Sequence, residues 1–432
     1  MSSQENKTNI LKDENERLKA AIEELSILND ISTAINSTLS LEEIIELIVK
    51  KCVKHIGAEQ GTVTLLDSME QKNPFQTMIR QVDRSSDFLP LHLDTQITGW
   101  ILVNRKPLLI NDMESNEHVR IPKNEENPVN TLLSVPLLLK GRVIGSLNLF
   151  NRNTPGGFTD ADKRLLSIIA TQSAQVIENA RLIEEEKSLL HLQEEMKMAF
   201  KIQMGLLPKE KPAIDGYDIA GKSIPAKTVG GDYYDFIMAG DGRIMICLGD
   251  VSGKGMPAAL LMSNLQATFR GQDLSRHTPC EIMSRSNKLL FRSTDPDKFA
   301  TFFFGLLDNT RHEFHYCNAG HNNPILTHKN GDHYFLDTGG LILGALEEST
   351  YTDTIISLAV GDTLLVFSDG ISEARNPSDE EYCEERILEV LTKNPHLDAA
   401  GIVDHIINEV NTFADSRDQM DDMTVVAMKR LF

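Results

Sequence analysis

Cationic side chains are scarce in this chain: its 432 residues carry 43 Lys and Arg against 63 Asp and Glu, a formal charge of −20. A surface of that sign repels phosphate backbones and anionic lipid, so nucleic acid and membrane are excluded as ordinary partners. It also means that an anionic substrate needs a bound cation to meet it. Cysteine pairs are missing too. Five cysteines are present (Cys52, Cys247, Cys280, Cys317, Cys383), with no CxxC among them. That excludes a disulfide framework and a cysteine-rich zinc site, and points to a reducing compartment. A C-x5-R phosphatase loop is likewise absent. No uninterrupted apolar run approaches the roughly 18 residues of a membrane span; "LLSVPLLLKGRVIGSLNLF" is broken by Lys140 and Arg142. The polar opening "MSSQENKTNILKDENERLKA" lacks the apolar core of a signal peptide. The expectation is a cytoplasmic protein of two or three domains.

What is there begins with a heptad. Leu11, Leu18 and Leu25 recur every seven residues, with Ala21 and Leu28 offset by three. This predicts a coiled-coil helix over 1–28 and a parallel homodimer. Ser40 and Glu43 stand at capping-box spacing before the periodic run "LEEIIELIVKKCVKHI". Residues 61–150 hold short β-rich runs separated by turns, with Lys140-Gly141 at the bend of a hairpin. Thr159 then caps a long helix that runs to Pro208. Along it Ile169, Val176, Ile183 and Leu190 alternate with polar Gln172, Asn179, Glu186 and Gln193. A half-polar seam of this kind is weak and can shift register, which suits a helical coiled-coil linker that transmits a signal.

The stretches "TGWILVNRKPLLINDM", "SVPLLLKGRVIGSLNLFNR" and "FTDADKRLLSIIATQSAQVIENARL" resemble a GAF domain. The resemblance implies an α+β sensory domain over 29–180, with a linker over 181–209. The signature of cyclic-nucleotide-binding members is not visible, so the ligand stays unknown. Cys52 and His55 read as a buried thiol and a surface histidine on a helix rather than as cofactor ligands.

The second half places acids at strand ends. "CLGDVSGKGMPAALLM" looks at first like a phosphate-binding loop, but Gly249 to Gly253 is one residue short of G-x-x-x-x-G-K-[ST]. Gly255 also stands where the hydroxyl should be. Instead Asp250 closes an apolar run. Asp232 follows two glycines in "VGGDYYDF", Asp369 ends "DTLLVFSD", and Asp421 and Asp422 precede "MTVVAMKR". Asp241-Gly242 and Asp308-Asn309, by contrast, read as plain hairpin turns. Four carboxylates at one end of a sheet repel unless cations lie among them. Oxygen donors without histidine or thiolate select magnesium or manganese.

These stretches, with "AFKIQMGLLPKEKP", "FATFFFGLLD", "YCNAGHNNPIL" and "LVFSDGISEARN", closely resemble the PPM-type metal-dependent serine/threonine phosphatases of the SpoIIE/RsbU-like branch from about residue 200 to 432, with the phosphatase domain expected over 210–432. The resemblance implies a multidomain α+β protein whose C-terminal domain is an α-β-β-α sandwich. It implies two divalent cations, Mn2+ or Mg2+. Asp250 would bridge them, the Val251 carbonyl would join the first, Asp369 and Asp421 would hold the second, and Asp232 would reach the cluster. Asp422 would lie just behind these acids, Gly253 and Gly255 would let the backbone turn beside them, and Lys254 would lie on the rim. Asp250, Asp369 and Asp421 would carry the catalysis, with a metal-activated water attacking phosphorus. The implied substrate is a phosphorylated STAS-domain anti-sigma-factor antagonist in a partner-switching pathway. The arginine that eukaryotic relatives use for phosphate has no equivalent that can be placed here. His321 invites a general-acid role, although its Gly/Asn-rich loop favours a structural one. Ile342 replaces a proline usual in the family, leaving that loop's shape open. A non-catalytic scaffold of the same architecture would be expected to lose metal acids, and this chain keeps them all.

Overall fold

The computed structural model describes residues 40–66, 75–81, 92–117, 119, 129–295, 297–415, 417 and 419–432. The heptad helix expected over 1–28 lies outside the described residues. The chain divides into two compact units, Met1–His191 and Leu192–Phe432.

The first unit is built on one antiparallel sheet. Helix α1 (Leu41–Ile56) opens with the expected capping box, Ser40 and Glu43 each accepting the other's backbone N–H. Strands β1 (Ala58–Leu66) and β2 (Phe75–Gln81) follow, then α2 (His92–Asn104), β3 (Leu108–Ile110), β4 (Leu132–Leu139) and β5 (Arg142–Arg152), in sheet order β2-β1-β5-β4-β3. The β4–β5 bend falls on Lys140 and Gly141, both at positive φ, as a tight primed turn requires. One sheet face is dry: Val63, Leu133, Val135, Leu147 and Leu149 pack on α1 and on the start of α3 (Asp160–Met204). The other face is buried yet partly polar. Ser134 donates to Asn148, Asn148 donates to Thr62, and Ser146 pairs with Thr98 of α2.

Helix α3 begins where Thr159 and Asp162 cap each other. Its seven-residue repeat divides into two jobs. Ile169 and Val176 are buried in the first unit's own core, whereas Ile183 and Leu190 are exposed. The single linker seam expected over these four residues is therefore corrected. Sevenfold spacing marks one helix face, and its first half faces its own sheet.

The second unit contains two sheets, antiparallel except where β10 (Glu313–Ala319) and β13 (Gly339–Gly340) run parallel. The first is formed by β7 (Tyr233–Met238), β8 (Ile244–Val251), β9 (Ala300–Asp308), β10 (Glu313–Ala319), β13 (Gly339–Gly340) and β14 (Thr354–Ser357); the second by β6 (Tyr217–Ile224), β11 (Ile325–Thr327), β12 (His333–Phe335), β15 (Thr363–Phe367) and β16 (Met423–Arg430). Period-two alternation stacks them. In β15 and β16, Leu364, Val366, Val426 and Met428 join the core shared with the first sheet, while Leu365, Phe367, Val425 and Ala427 face away. Those outward residues are covered by α7 (Cys383–Lys393) and α8 (Ala399–Ala414). The first sheet is covered by α4 (Met256–Arg270) and α5 (Pro279–Ser293). The layers are α-β-β-α, as the resemblance implies. The loop carrying Ile342 is anchored where Leu343 and Ala300 exchange backbone hydrogen bonds of 2.8 and 2.9 Å. One ion pair ties helix to sheet: Arg270, half-exposed at the end of α4, donates through Nε and Nη2 to the buried Asp235 of β7 at 2.7 and 3.0 Å, and Tyr233 donates to the same carboxylate at 2.6 Å.

Candidate metal centre and active site

The strand ends bring five acids into one neighbourhood. Asp250 is the penultimate residue of β8, paired in register with Thr301 of β9. Asp369 is the first residue of a short helix, α6 (Asp369–Ser372), that follows β15 directly. Asp421 and Asp422 precede β16. The two strand ends are stitched together: Ser368 Oγ donates to the Asp422 carbonyl at 3.0 Å, and Thr424 N–H donates to Ser368 Oγ at 2.9 Å.

Asp422 is the organiser behind the cluster. Its carboxylate accepts N–H groups from Ala226 at 2.7 Å, Gly231 at 2.5 Å and Asp232 at 3.3 Å. Glycine is required at 230, because a Cβ there would stand 2.3 Å from Asp422 Oδ2. At Gly231 a Cβ would come 3.1 Å from the Val251 carbonyl oxygen and 3.4 Å from Asp250 Oδ1. The "VGGD" segment thus lies directly against the end of β8, which brings Asp232 and Asp250 together. Gly253 and Gly255 adopt φ of +101° and +78°, values that L side chains rarely take. They turn the chain from β8 into α4.

The charges in this cluster are poorly compensated. Asp232 is buried, and neither carboxylate oxygen has a hydrogen-bond partner among the described residues. Burial, followed by the Asp250 and Asp422 charges, pushes its carboxyl well above the ordinary range. Burial and then Asp369, Asp421 and Asp422 raise Asp250 to about 7. Asp369 is raised by burial and then by Asp421. Carboxyls that destabilise one another, one of them buried without a donor, are a set of hard oxygen atoms suited to divalent cations. The residues present therefore fit Mn2+ or Mg2+.

No group of three His, Cys, Asp or Glu side chains among the described residues is already disposed around one point to hold an ion. Asp421 is occupied otherwise. Lys254, placed between the two turn glycines, donates to Asp421 Oδ2 at 2.6 Å and to the Met420 carbonyl at 2.7 Å. The residue expected on the rim is thus the cluster's local counter-ion. A cleft of about 340 Å3 opens beside it, with Arg375 and Arg417 on its wall; both donate to Asp379, at 3.1 and 2.9 Å.

His321 is buried, and its Nδ1 pairs with Thr301 Oγ1 at 2.8 Å, opposite Asp250 in the ladder. Burial lowers it to about 4, so the ring is neutral near pH 7. Asn318 holds its backbone from both sides, donating to the His321 carbonyl and accepting its N–H. The ring is a brace for the Thr301 end of β9. Sequence reasoning missed Asp235, Arg270 and Gln203. The first two form the ion pair described above. Gln203 is a buried glutamine near the end of α3 that bonds Gly230.

Comparison with known proteins agrees with this geometry. Residues 38–178 match the GAF domain family, and residues 240–431 match the family of Stage II sporulation protein E (SpoIIE). The phosphoserine phosphatase RsbU of Bacillus subtilis is 29% identical over 253 residues, covering 57% of this chain and 74% of that protein. Protein IcfG of Synechocystis is 28% identical over 263 residues, covering 55% of this chain but only 41% of IcfG, so the match spans less than half of that relative. Among solved structures, the SiaA-PP2C domain of Pseudomonas aeruginosa superposes with a TM-score of 0.50 at 18% identity, covering 56% of this chain and 98% of that domain. At that identity the likeness speaks for the fold. No described helix is long and apolar enough to cross a membrane. Family match, layer order and acid placement converge: residues 38–178 are a GAF domain and residues 240–431 a domain of the SpoIIE family.

Proposed function

We propose that the chain is a cytoplasmic protein-serine/threonine phosphatase that depends on two divalent cations, Mn2+ or Mg2+. In this reading residues 210–432 catalyse, residues 29–180 sense a ligand, and residues 181–209 link them. Asp232, Asp250, the Val251 carbonyl, Asp369 and Asp421 would hold the ions, which when bound supply positive charge to the phosphoryl group and acidify a water. The protein's own part is positional. Asp422 locks the "VGGD" segment, and the Ser368–Thr424 stitch holds Asp369 beside Asp421. The observation that carries the reading is Asp232, buried beside the Asp250 charge with no hydrogen-bond partner for either oxygen among the described residues. The resemblance to RsbU, a phosphoserine phosphatase by name, supports phosphoserine as the target. The proposed substrate is a phosphorylated STAS-domain protein. The test is phosphate release from such proteins by the full chain in Mn2+. Turnover that EDTA abolishes is expected. A folded chain releasing no phosphate from any phosphoserine protein, in Mn2+ or Mg2+, would overturn the reading.

The same reading includes a parallel homodimer. On α3, Leu182, Ile183, Leu189 and Leu190 are 48–57% exposed and lie seven residues apart in pairs. An apolar stripe of this kind is suited to the same stripe on a second copy. Light scattering is expected to give twice the chain mass, and Leu189→Glu combined with Leu190→Glu is expected to give a monomer. A wild-type mass equal to one chain at every concentration would rule the dimer out.

A further inference from the structure

Gln203 lies next to the C-terminal end of α3, where a glutamine would ordinarily be solvated. Here its side chain is buried. Its amide meets the two peptide units that flank one Cα: Nε2 donates to the Gly230 carbonyl at 2.6 Å, and Oε1 accepts the Gly230 N–H at 3.0 Å. Both backbone polar groups of Gly230 are thus satisfied by one side chain. On its other side Gly230 is pressed against the Asp422 carboxylate, with no room for a Cβ. The next two residues, Gly231 and Asp232, donate their N–H groups to that same carboxylate. Residues 230–232 are therefore held between Gln203 and Asp422, and Asp232 is the buried acid whose carboxylate oxygens have no hydrogen-bond partner among the described residues.

We propose that Gln203 is a positioning residue: by fixing Gly230 it sets where the Asp232 carboxylate stands, and through Asp232 it sets the affinity of the centre for a divalent cation. This inference rests on the metal-dependent reading above. Two features make the clamp more than ordinary packing. A side-chain amide bonding both backbone groups of one residue fixes the two peptide planes that meet at its Cα together. Gly231 and Asp232 are held from the other side through their N–H bonds to Asp422. Removing Gln203 therefore leaves the segment that carries Asp232 anchored from one side.

Outer partners of metal-binding groups typically contribute about 10- to 100-fold in metal affinity. Gln203→Leu keeps the bulk and removes both hydrogen bonds. In the full chain it is expected to weaken Mn2+ binding, measured by titration calorimetry, by about tenfold, while circular dichroism stays that of a folded protein. A change in packing alone would shift the melting temperature and leave Mn2+ affinity unchanged. The double variant separates the two causes. If Gln203 acts through Asp232, adding Gln203→Leu to Asp232→Asn should change Mn2+ affinity by less than about twofold. Wild-type affinity in Gln203→Leu, or a full tenfold loss persisting in the Asp232→Asn background, overturns the proposal. Should Gln203→Leu fail to fold, Gln203→Asn, too short to bond both groups, is read by the same criteria. A folded wild-type chain that binds no Mn2+ overturns the metal reading itself; a wild type that binds beside an unaffected Gln203→Leu overturns only the clamp.

Discussion

Asp250→Asn is expected to lower turnover of a phosphoserine protein in Mn2+ by at least about 10²-fold, or ~2.7 kcal/mol of barrier, while leaving the protein folded. The substitution preserves shape and removes the charge at the centre of the acid cluster. The turn control Asp308→Asn is expected to be near neutral. That carboxylate caps the β9–β10 turn, taking N–H groups from Thr310 and Arg311 on a single oxygen, which an amide can reproduce. The metal-free protein should respond in the opposite direction. Asp250 has its folded pKa raised from 3.8 to about 7. Below the lower value both states are protonated. As pH rises from there toward the upper value, the unfolded chain releases the proton first and the native state loses stability, on the order of a few kcal/mol at most. Asparagine has no proton to lose. In EDTA, the melting temperature of Asp250→Asn minus that of wild type should therefore grow between pH 4 and pH 7.5, and Mn2+ should reverse the sign. A folded Asp250→Asn protein that turns over within tenfold of wild type would remove Asp250 from the centre.

Asp422→Ala is expected to show the reverse profile, a large loss of stability rather than a clean loss of catalysis. Three backbone N–H groups converge on that carboxylate, two of them in buried hydrogen bonds. Each donor left without an acceptor costs roughly 1–3 kcal/mol, and water entering the space left by the side chain recovers part of it. The net loss should be on the order of 3–5 kcal/mol, or roughly 10 °C in melting temperature for a domain of this size. Asp422→Asn retains one acceptor oxygen and should lose less. Calorimetric melts of the three proteins in EDTA give the answer, and an alanine variant that melts within about 2 °C of wild type would show that Asp422 organises nothing.

The two substitutions also mark where the sequence was readable. Acids that end apolar runs are a local pattern, so Asp250, Asp369 and Asp421 could be picked out before any fold was known. The unbroken apolar runs in "TLLVF" and "MTVVAM" are those of strands buried on both faces. What escaped notice was long-range. Lys254 looked like a rim residue because nothing near it in the chain hints at Asp421. Gln203 is an ordinary helix former until the loop at Gly230 closes over it. Asp235 follows Asp232 by three residues in one motif, yet Arg270 is what makes its burial tolerable. The repeat Ile169–Leu190 misled for a related reason: heptad spacing identifies a helix face but not its partner, and the first half of that face belongs to its own sheet.

The Asp235–Arg270 pair has a mechanical consequence. It fastens α4 to the sheet at its C-terminal end. The N-terminal end departs from Gly253 and Gly255, where a Cβ would meet nothing within 4 Å. A rod of 15 residues at 1.5 Å each is about 22 Å long. Pinned at Arg270 and seated along its length through Ala258, Met262, Leu265 and Phe269, it is a stiff rod: a tilt of about 5° about Arg270 would carry Gly255 through roughly 2 Å along that length, about one metal–oxygen bond, and the packed face resists that displacement.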